Sequence, residues 1–323
     1  MENKNLINEL SGNEKVTEQK VEIIEQDLSA DVMKERNMKK QATKQKVGKI
    51  IVQVLLYLFL GIMALFVIFP FYWMVISSLK NFNEYYAVTP TFFPTQGLDF
   101  HNYIEAFTKG SLASLFLNTL YVGLVSTVLS LIITVITAFA FARLEFKGKN
   151  ALFAALLATM MIPGELFTIT NFQTVTSFEW KETYVVLIVP FLVSVFYIYL
   201  LRQNFMQIPD ELYYAAKVDG TSDLKYLWKV MIPLALPTLI SITILKMMGA
   251  WNSYIWPRLV ANGDAHQMIT YGLRTAFTPS EGTQYDYPVQ MAAVVLVSIP
   301  LFLVFVFLRK YIMKGVSRSG IKG

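Results

Sequence analysis

The sequence predicts an all-α, polytopic membrane protein with six transmembrane helices and both termini cytoplasmic. Three observations predict it. Of the 323 residues, 54% are hydrophobic and only 16% are charged, whereas soluble domains carry about a quarter charged residues. Six apolar runs reach or approach the ~20 residues that cross a bilayer as a helix, and none has the strict alternation of a barrel strand. Lysine and arginine are concentrated in alternate connecting segments, which fixes an orientation.

The runs fall at about 50–76, 112–141, 151–172, 183–201, 232–256 and 289–309. The second is long enough to begin outside the bilayer. Pro163 and Gly164 interrupt the third, where a helix should bend or break. With the N-terminus inside, the cytoplasmic segments hold nineteen basic residues and the outer loops five: Lys80, Lys109, Lys181, Arg258 and Arg274. The same imbalance holds segment by segment.

Residues 1–33 are polar and mostly acidic, without the apolar h-region of a cleavable signal. A flexible cytoplasmic extension over 1–47 is expected, with a transient helix near 16–28. Lys34, Arg36, Lys39, Lys40, Lys44, Lys46 and Lys49 then precede the first run. Such a cluster orients a span and can rest on anionic membrane lipid. The remaining residues, 48–323, form one transmembrane domain.

With no cysteine in the chain, disulfides and thiolate chemistry are excluded. His101 and His266 have no carboxylate or second histidine at ligand spacing, so no metal site is expected. No G-x-x-x-x-G-K-[ST] loop is present to hold nucleotide phosphates. The chain is therefore expected to be no enzyme and to bind no cofactor itself. Nothing in it points to nucleic acid.

Between the fourth and fifth runs lies IPDELYYAAKVDGTSDLKYLWKVMIP, residues 208–233, on the cytoplasmic side of the predicted topology. Pro209, Asp210 and Glu211 read as a helix start, with proline suited to the first turn and the acids to the positive end of the helix dipole. Gly220 reads as a stop. Thr221, Ser222 and Asp223 then cap a second short helix over 224–230, with Tyr226, Leu227 and Trp228 for packing. Ala215 and Ala216 leave a flat face that another surface can approach. On pattern alone the segment fits either a docking element or an interfacial helix that covers the bundle.

Ala215 and Ala216, then Gly220 after three intervening residues, then Val230, Ile232 and Pro233 after nine more, resemble the cytoplasmic EAA loop of ABC importer permeases. The glutamate of that motif is Tyr214 here, and Glu211 lies one turn earlier. The stretches 118–148, MMIPGE (160–165), YIYLLRQNFMQIPDEL (197–212), GAWNSYIWPRL (249–259) and YIMKGVSRSGIKG (311–323) are similar to the carbohydrate, MalG-like branch of that family. The resemblance covers about residues 50–323.

The resemblance implies a permease subunit for sugars or oligosaccharides in a bacterial cytoplasmic membrane, working by alternating access. Its partners would be a second homologous permease, two cytoplasmic ABC ATPase subunits that use ATP and Mg, and an extracytoplasmic solute-binding protein. The loop at about 205–232 would be the coupling helix seated in an ATPase. Glu211, Tyr214, Ala215, Ala216, Asp219, Gly220 and Pro233 would form that contact. The long outer loops 77–111 and 257–288 would meet the loaded binding protein or simply shield the bundle.

Candidates for the path of the solute come from the residues themselves. Lys246 falls within the fifth run, where a charge is costly and faces a cavity or a partner. It fits either a path contact or a structural pair. Glu165 follows the break at Pro163 and fits a path or a hinge. Trp251, Asn252, Tyr254 and Trp256 could stack on and hydrogen-bond a saccharide, or belong to the aromatic belt that anchors any span. Asn171 and Gln173 carry the same two readings.

A glycerol-phosphate-type ligand would call for a basic cluster on the path. Lys246 alone leans towards a neutral saccharide. A secondary carrier would need buried acids or broken-helix ion sites and internal repeats; Glu165 is nearly the only acid at membrane depth, and no repeat is evident in the sequence.

Overall fold

The computed structural model describes residues 33 and 38, then 46–279 and 284–317. The basic residues Lys34, Arg36, Lys39, Lys40 and Lys44, the segment 16–28 and nearly all of the expected extension lie outside the described residues. So does the closing stretch from residue 318.

The chain divides into two units, Met1–Phe71 and Tyr72–Gly323. Helix α1, Lys46–Ser78, has a mean hydropathy of 2.7 over its most apolar window and is long enough to cross a bilayer. The second unit begins with two short helices, α2 (Phe82–Tyr85) and α3 (His101–Lys109). Then comes α4, Leu112–Arg143, whose 32 residues match the expected run 112–141 with two more at the end.

The three middle runs are not straight helices. The third is α5 (Lys149–Thr159) and, after one 3-10 turn, α6 (Phe167–Ser177), bent by 76°. That break falls at Pro163, as expected. The fourth was expected to be continuous. It is instead α7 (Tyr184–Ile188), a 3-10 turn at Val189–Phe191, and α8 (Val195–Phe205), bent by 47°. Pro190 occupies the first turn of that 3-10 segment and brings no N–H to an α-helical ladder.

The polar stretch after it forms α9 (Asp210–Val218), α10 (Asp223–Tyr226), a π-helical turn at Leu227–Met231 and α11 (Ile232–Leu234). The fifth run, expected over 232–256, is α12, Leu236–Trp251, and turns 80° from what precedes it. Pro237 cannot donate to the Pro233 carbonyl, so the ladder is interrupted at Ala235. After α12 come α13 (Ile255–Val260) and α14 (Ile269–Ala276), then α15, Tyr287–Ser317. Among the described residues three helices are long and apolar enough to span alone, and six spans result when each bent pair counts as one.

Helix α4 is the hub of the second unit, packing against α3, α7, α8, α12 and α14. Gly123 lets α12 approach: a Cβ there would lie 3.2 Å from the Met247 methyl. One face of α4 buries Thr119, Ser126, Ser130 and Thr134 with Val122, Ala138 and Phe139. At its N-terminal end the Asn118 amide donates to the carbonyls of Ala265 and Gln267, at 3.0 and 3.1 Å, and accepts from the Tyr184 hydroxyl at 2.7 Å. Thr119 accepts from the Ile269 N–H at 2.8 Å, starting α14. At the opposite end a hydrophobic cluster joins Phe139, Leu201, Phe205, Tyr226, Leu227 and Met231. Both ends of the α4 neighbourhood are thereby fixed.

Candidate functional site

Two places carry function-bearing residues: the α9–α10 loop and a cavity beside α12. The loop is built to hold one orientation. Pro209 precedes α9 as its N-cap rather than opening its first turn, with extended backbone at φ −56°, ψ 138°. Asp210 and Glu211 occupy the first turn, as the dipole favours.

The helix ends in a Schellman arrangement. The Thr221 N–H donates to the Ala216 carbonyl at 2.8 Å and the Gly220 N–H to that of Lys217 at 3.0 Å. Gly220 has φ +69°, the left-handed conformation that glycine adopts without penalty. The Ser222 hydroxyl then accepts from the Lys225 N–H and caps α10.

Asp223 fastens the two short helices together. Its carboxylate accepts from the Tyr213 hydroxyl at 2.7 Å and pairs with Lys217 at 2.7 Å. The Lys217 hydrogen bond and then the Tyr213 hydroxyl hold the Asp223 carboxyl below the usual range, and the same carboxylate raises Lys217. Tyr213 meets Tyr226 edge-on at 5.2 Å. The whole is tied to α4 by Arg143, which reaches Asp210 at 2.7 Å and the Phe205 and Ile208 carbonyls at 2.9 and 2.5 Å.

The alanine pair is split between two directions. Ala216 packs against the cluster around Phe205 and Tyr226, and Ala215 is exposed. Leu212, Tyr214, Val218 and Leu224 are exposed as well. Trp228, expected to pack with Tyr226 and Leu227, is instead 66% exposed. The π turn over Leu227–Met231 buries Leu227 and Met231 and leaves Trp228 outside. Glu211, Asp219 and Pro233 are exposed.

The cavity has a volume of about 380 Å³, and α4, α8, α12 and the breaks around Phe191 and Ser253 form its wall. Of the residues singled out for a solute path, Lys246 and Trp256 line it. The Lys246 ammonium donates to the Phe191 carbonyl at 2.5 Å. Trp256 donates its indole N–H to the Val186 carbonyl at 2.9 Å and meets Phe191 edge-on at 5.5 Å.

The other path candidates lie elsewhere. Trp251 is buried against Phe116, ring to ring at 5.6 Å. Asn252 is exposed just past the end of α12, and the Tyr254 hydroxyl accepts from Arg274 at 3.0 Å. Glu165 and Gln173 are exposed, and Asn171 is half-buried on α6. His101 is exposed, and His266 meets Tyr184 edge-on at 4.5 Å.

The hydroxyls of Ser126, Ser194, Tyr197 and Ser253 also line the cavity, and sequence reasoning missed them. The signal for Ser126 was present: Thr119, Ser126, Ser130 and Thr134 recur at helical spacing on one face of α4. Ser194 and Ser253 stand at helix breaks that the sequence pattern did not locate.

The chain belongs to the family described as binding-protein-dependent transport system inner membrane component, whose model matches residues 110–318. It is 30% identical, over 80% of its length and 93% of the relative's, to the arabinooligosaccharides transport system permease protein AraQ of Halalkalibacterium halodurans.

A second relative is the polygalacturonan/rhamnogalacturonan transport system permease protein YtcP of Bacillus subtilis, 28% identical over 84% of this chain and 98% of that protein. The fold is similar to a chain in the crystal structure of a bacterial ABC transporter that imports the acidic polysaccharide alginate. That likeness has a TM-score of 0.74 at 24% identity, over 81% of this chain and 96% of the other.

Proposed function

We propose that the chain is one permease subunit of an ATP-driven, binding-protein-dependent importer of sugars or oligosaccharides in a bacterial cell membrane. Family membership supports the permease role. The transport systems named for its relatives support the saccharide class. The six-span reading places both termini and the α9–α10 loop in the cytoplasm, in keeping with the distribution of basic residues. Residues 48–323 form the transmembrane domain, and 1–47 precede it as a cytoplasmic extension.

In this reading α9 is the coupling helix. Glu211, Tyr214, Ala215, Asp219 and Gly220 form the surface that meets a groove of a separate ATPase, with Leu212, Val218, Leu224 and Trp228 around them. Ala216 holds the loop from beneath, and Pro233, exposed where the chain turns back towards α12, borders the same contact. A second permease completes the pathway, a second ATPase completes the motor, and an outer solute-binding protein delivers sugar. ATP and Mg are bound by the ATPases. Their closure moves the loop, and the bundle switches between inward- and outward-facing packings.

Lys246 lies on the solute path. Trp251, Asn252, Tyr254, Glu165 and Asn171 act as supports around it or at its rims.

The observation that carries this reading is an exposed apolar surface on a loop that is itself firmly held. Among the described residues, leucine, tyrosine and tryptophan side chains on this polar loop stay exposed, while Arg143, Asp223 and the Gly220 turn tie its backbone down. A loop that transmits force needs both properties.

The test is ATPase activity of the co-purified complex in lipid, with and without sugar-loaded binding protein. The wild type should carry an ATPase whose turnover rises with the loaded protein. Ala215→Asp, on the exposed face, should lose that stimulation. Absence of any ATPase from the wild-type complex overturns the importer reading and favours a secondary carrier.

A further inference from the structure

We propose that the cavity beside α12 is a subsite for a carboxylate-bearing sugar, one uronate residue of an oligosaccharide, with Lys246 as its counter-ion. This rests on the importer reading, narrows its substrate class, and replaces the neutral saccharide that a lone lysine suggests from sequence, because Lys246 lines a cavity whose wall carries no other formal charge.

Lys246 is the one formally charged side chain among the lining residues; the remainder are hydroxyls, glycine and apolar groups. An ammonium offers three donors. The Phe191 carbonyl accepts from it, and no carboxylate pairs with it among the described residues. A cation among apolar side chains is costly unless an opposite charge or a set of acceptors meets it. Here the meeting group has to arrive in the cavity.

The number and kind of groups then select the ligand. One ammonium balances one carboxylate, whereas a phosphate monoester near −2 would call for further cations. A neutral sugar would use the hydroxyls and leave the ammonium as it was. Ser126, Ser194, Tyr197 and Ser253 can donate to or accept from ring hydroxyls, and Trp256 adds an aromatic wall. A volume of about 380 Å³ falls within the range of pockets that hold small molecules, roughly 300–1,000 Å³. Lys246 is half-buried, so the ion pair gains over water to the extent that the bound sugar excludes solvent from around the ammonium.

The experiment uses the full complex, co-purified in nanodiscs without nucleotide and without the solute-binding protein, whose own selectivity would otherwise contribute. The probes are radiolabelled trigalacturonate and its methyl ester, the same sugar without charge. The wild type should bind the acid about tenfold or more tightly than the ester. Lys246→Met should bring the acid to the level of the ester, and Lys246→Arg should keep the preference.

Equal affinity of the wild type for acid and ester, or no saturable binding of the acid, overturns the proposal. A preference that survives in Lys246→Met overturns it too, since the charge is then read elsewhere. The wild-type comparison requires no variant to fold. ATP hydrolysis by the same wild-type sample reports the importer reading separately. Active hydrolysis with no preference for the acid sinks the subsite alone.

Discussion

Arg143 at the end of α4 and Asp210 at the start of α9 meet at 2.7 Å, yet they contribute unequally. The Arg143 side chain is 4% exposed and that of Asp210 is 67% exposed. The carboxylate is therefore a screened partner, while the guanidinium also satisfies two backbone carbonyls at Phe205 and Ile208. Arg143→Met should leave the Ile208 carbonyl without its donor, at about 1–3 kcal/mol, while the Phe205 carbonyl keeps the Ile208 N–H at 3.2 Å; the loss should lower thermal stability and uncouple ATP hydrolysis from uptake. Asp210→Asn should cost under about 1 kcal/mol. Melting curves in detergent and sugar uptake, measured side by side, check the asymmetry. Equal losses in the two variants would assign the work to the ion pair instead.

Gly220 gives a second prediction. Its φ of +69° penalises any L-residue, although no atom lies within 4 Å of a Cβ built there. The penalty is conformational rather than steric, about 1–2 kcal/mol for most side chains and less for asparagine. Gly220→Asn should retain most uptake. Gly220→Val should lose the turn and reduce uptake severely, and Gly220→Arg should abolish it while the protein stays in the membrane. Uptake by all three at wild-type rate would remove the turn from the mechanism.

Much of this was legible in the sequence, for identifiable reasons. Helix α4 is long, predominantly apolar and free of proline, so its apolar run located it within two residues. Ser222 and Gly220 act through local hydrogen bonds and φ, which residue type reports directly. The direction in which Trp228 and Trp251 point was not legible. Trp228 turns outward because a π turn shifts its register, and Trp251 turns inward because Phe116 on another helix receives it. The cavity was least legible, since Ser194, Ser253 and Lys246 come together only through the 47° break before α8 and the end of α12.

Glu84, between α1 and α3, predicts a pH effect. Only 2% exposed, its carboxylate accepts from the N–H groups of Thr95 and Gln96 and the hydroxyls of Thr91 and Thr95. Burial pushes its pKa up, but those four donors outweigh burial and lower it from 4.5 to about 2. A carboxyl depressed by folding stabilises the protein fully above its unfolded pKa. That stabilisation is lost as pH falls from 4.5 towards about 2. Glu84→Gln should lower stability at pH 7 by about 1–3 kcal/mol. The gap between wild type and variant should narrow across that acidic window. A gap independent of pH would mean that shape, not charge, holds the loop.

The exposed face of the α9–α10 loop gives the last prediction. Trp228 is 66% exposed and Leu212 45%, so within this chain neither packs deeply enough for truncation to matter much. Surface substitutions away from caps and buried networks usually change stability by about 0.5 kcal/mol or less. Trp228→Ser and Leu212→Ser should therefore melt close to wild type. If an ATPase groove covers these side chains, each loses a buried apolar contact worth roughly 1.5–3 kcal/mol, and the complex should dissociate about tenfold or more readily. Quantitative co-purification at graded detergent and salt measures this directly. Wild-type retention of the ATPase by the double variant would move the docking surface away from this face, leaving Trp228 and the π turn after α10 as a membrane-surface anchor.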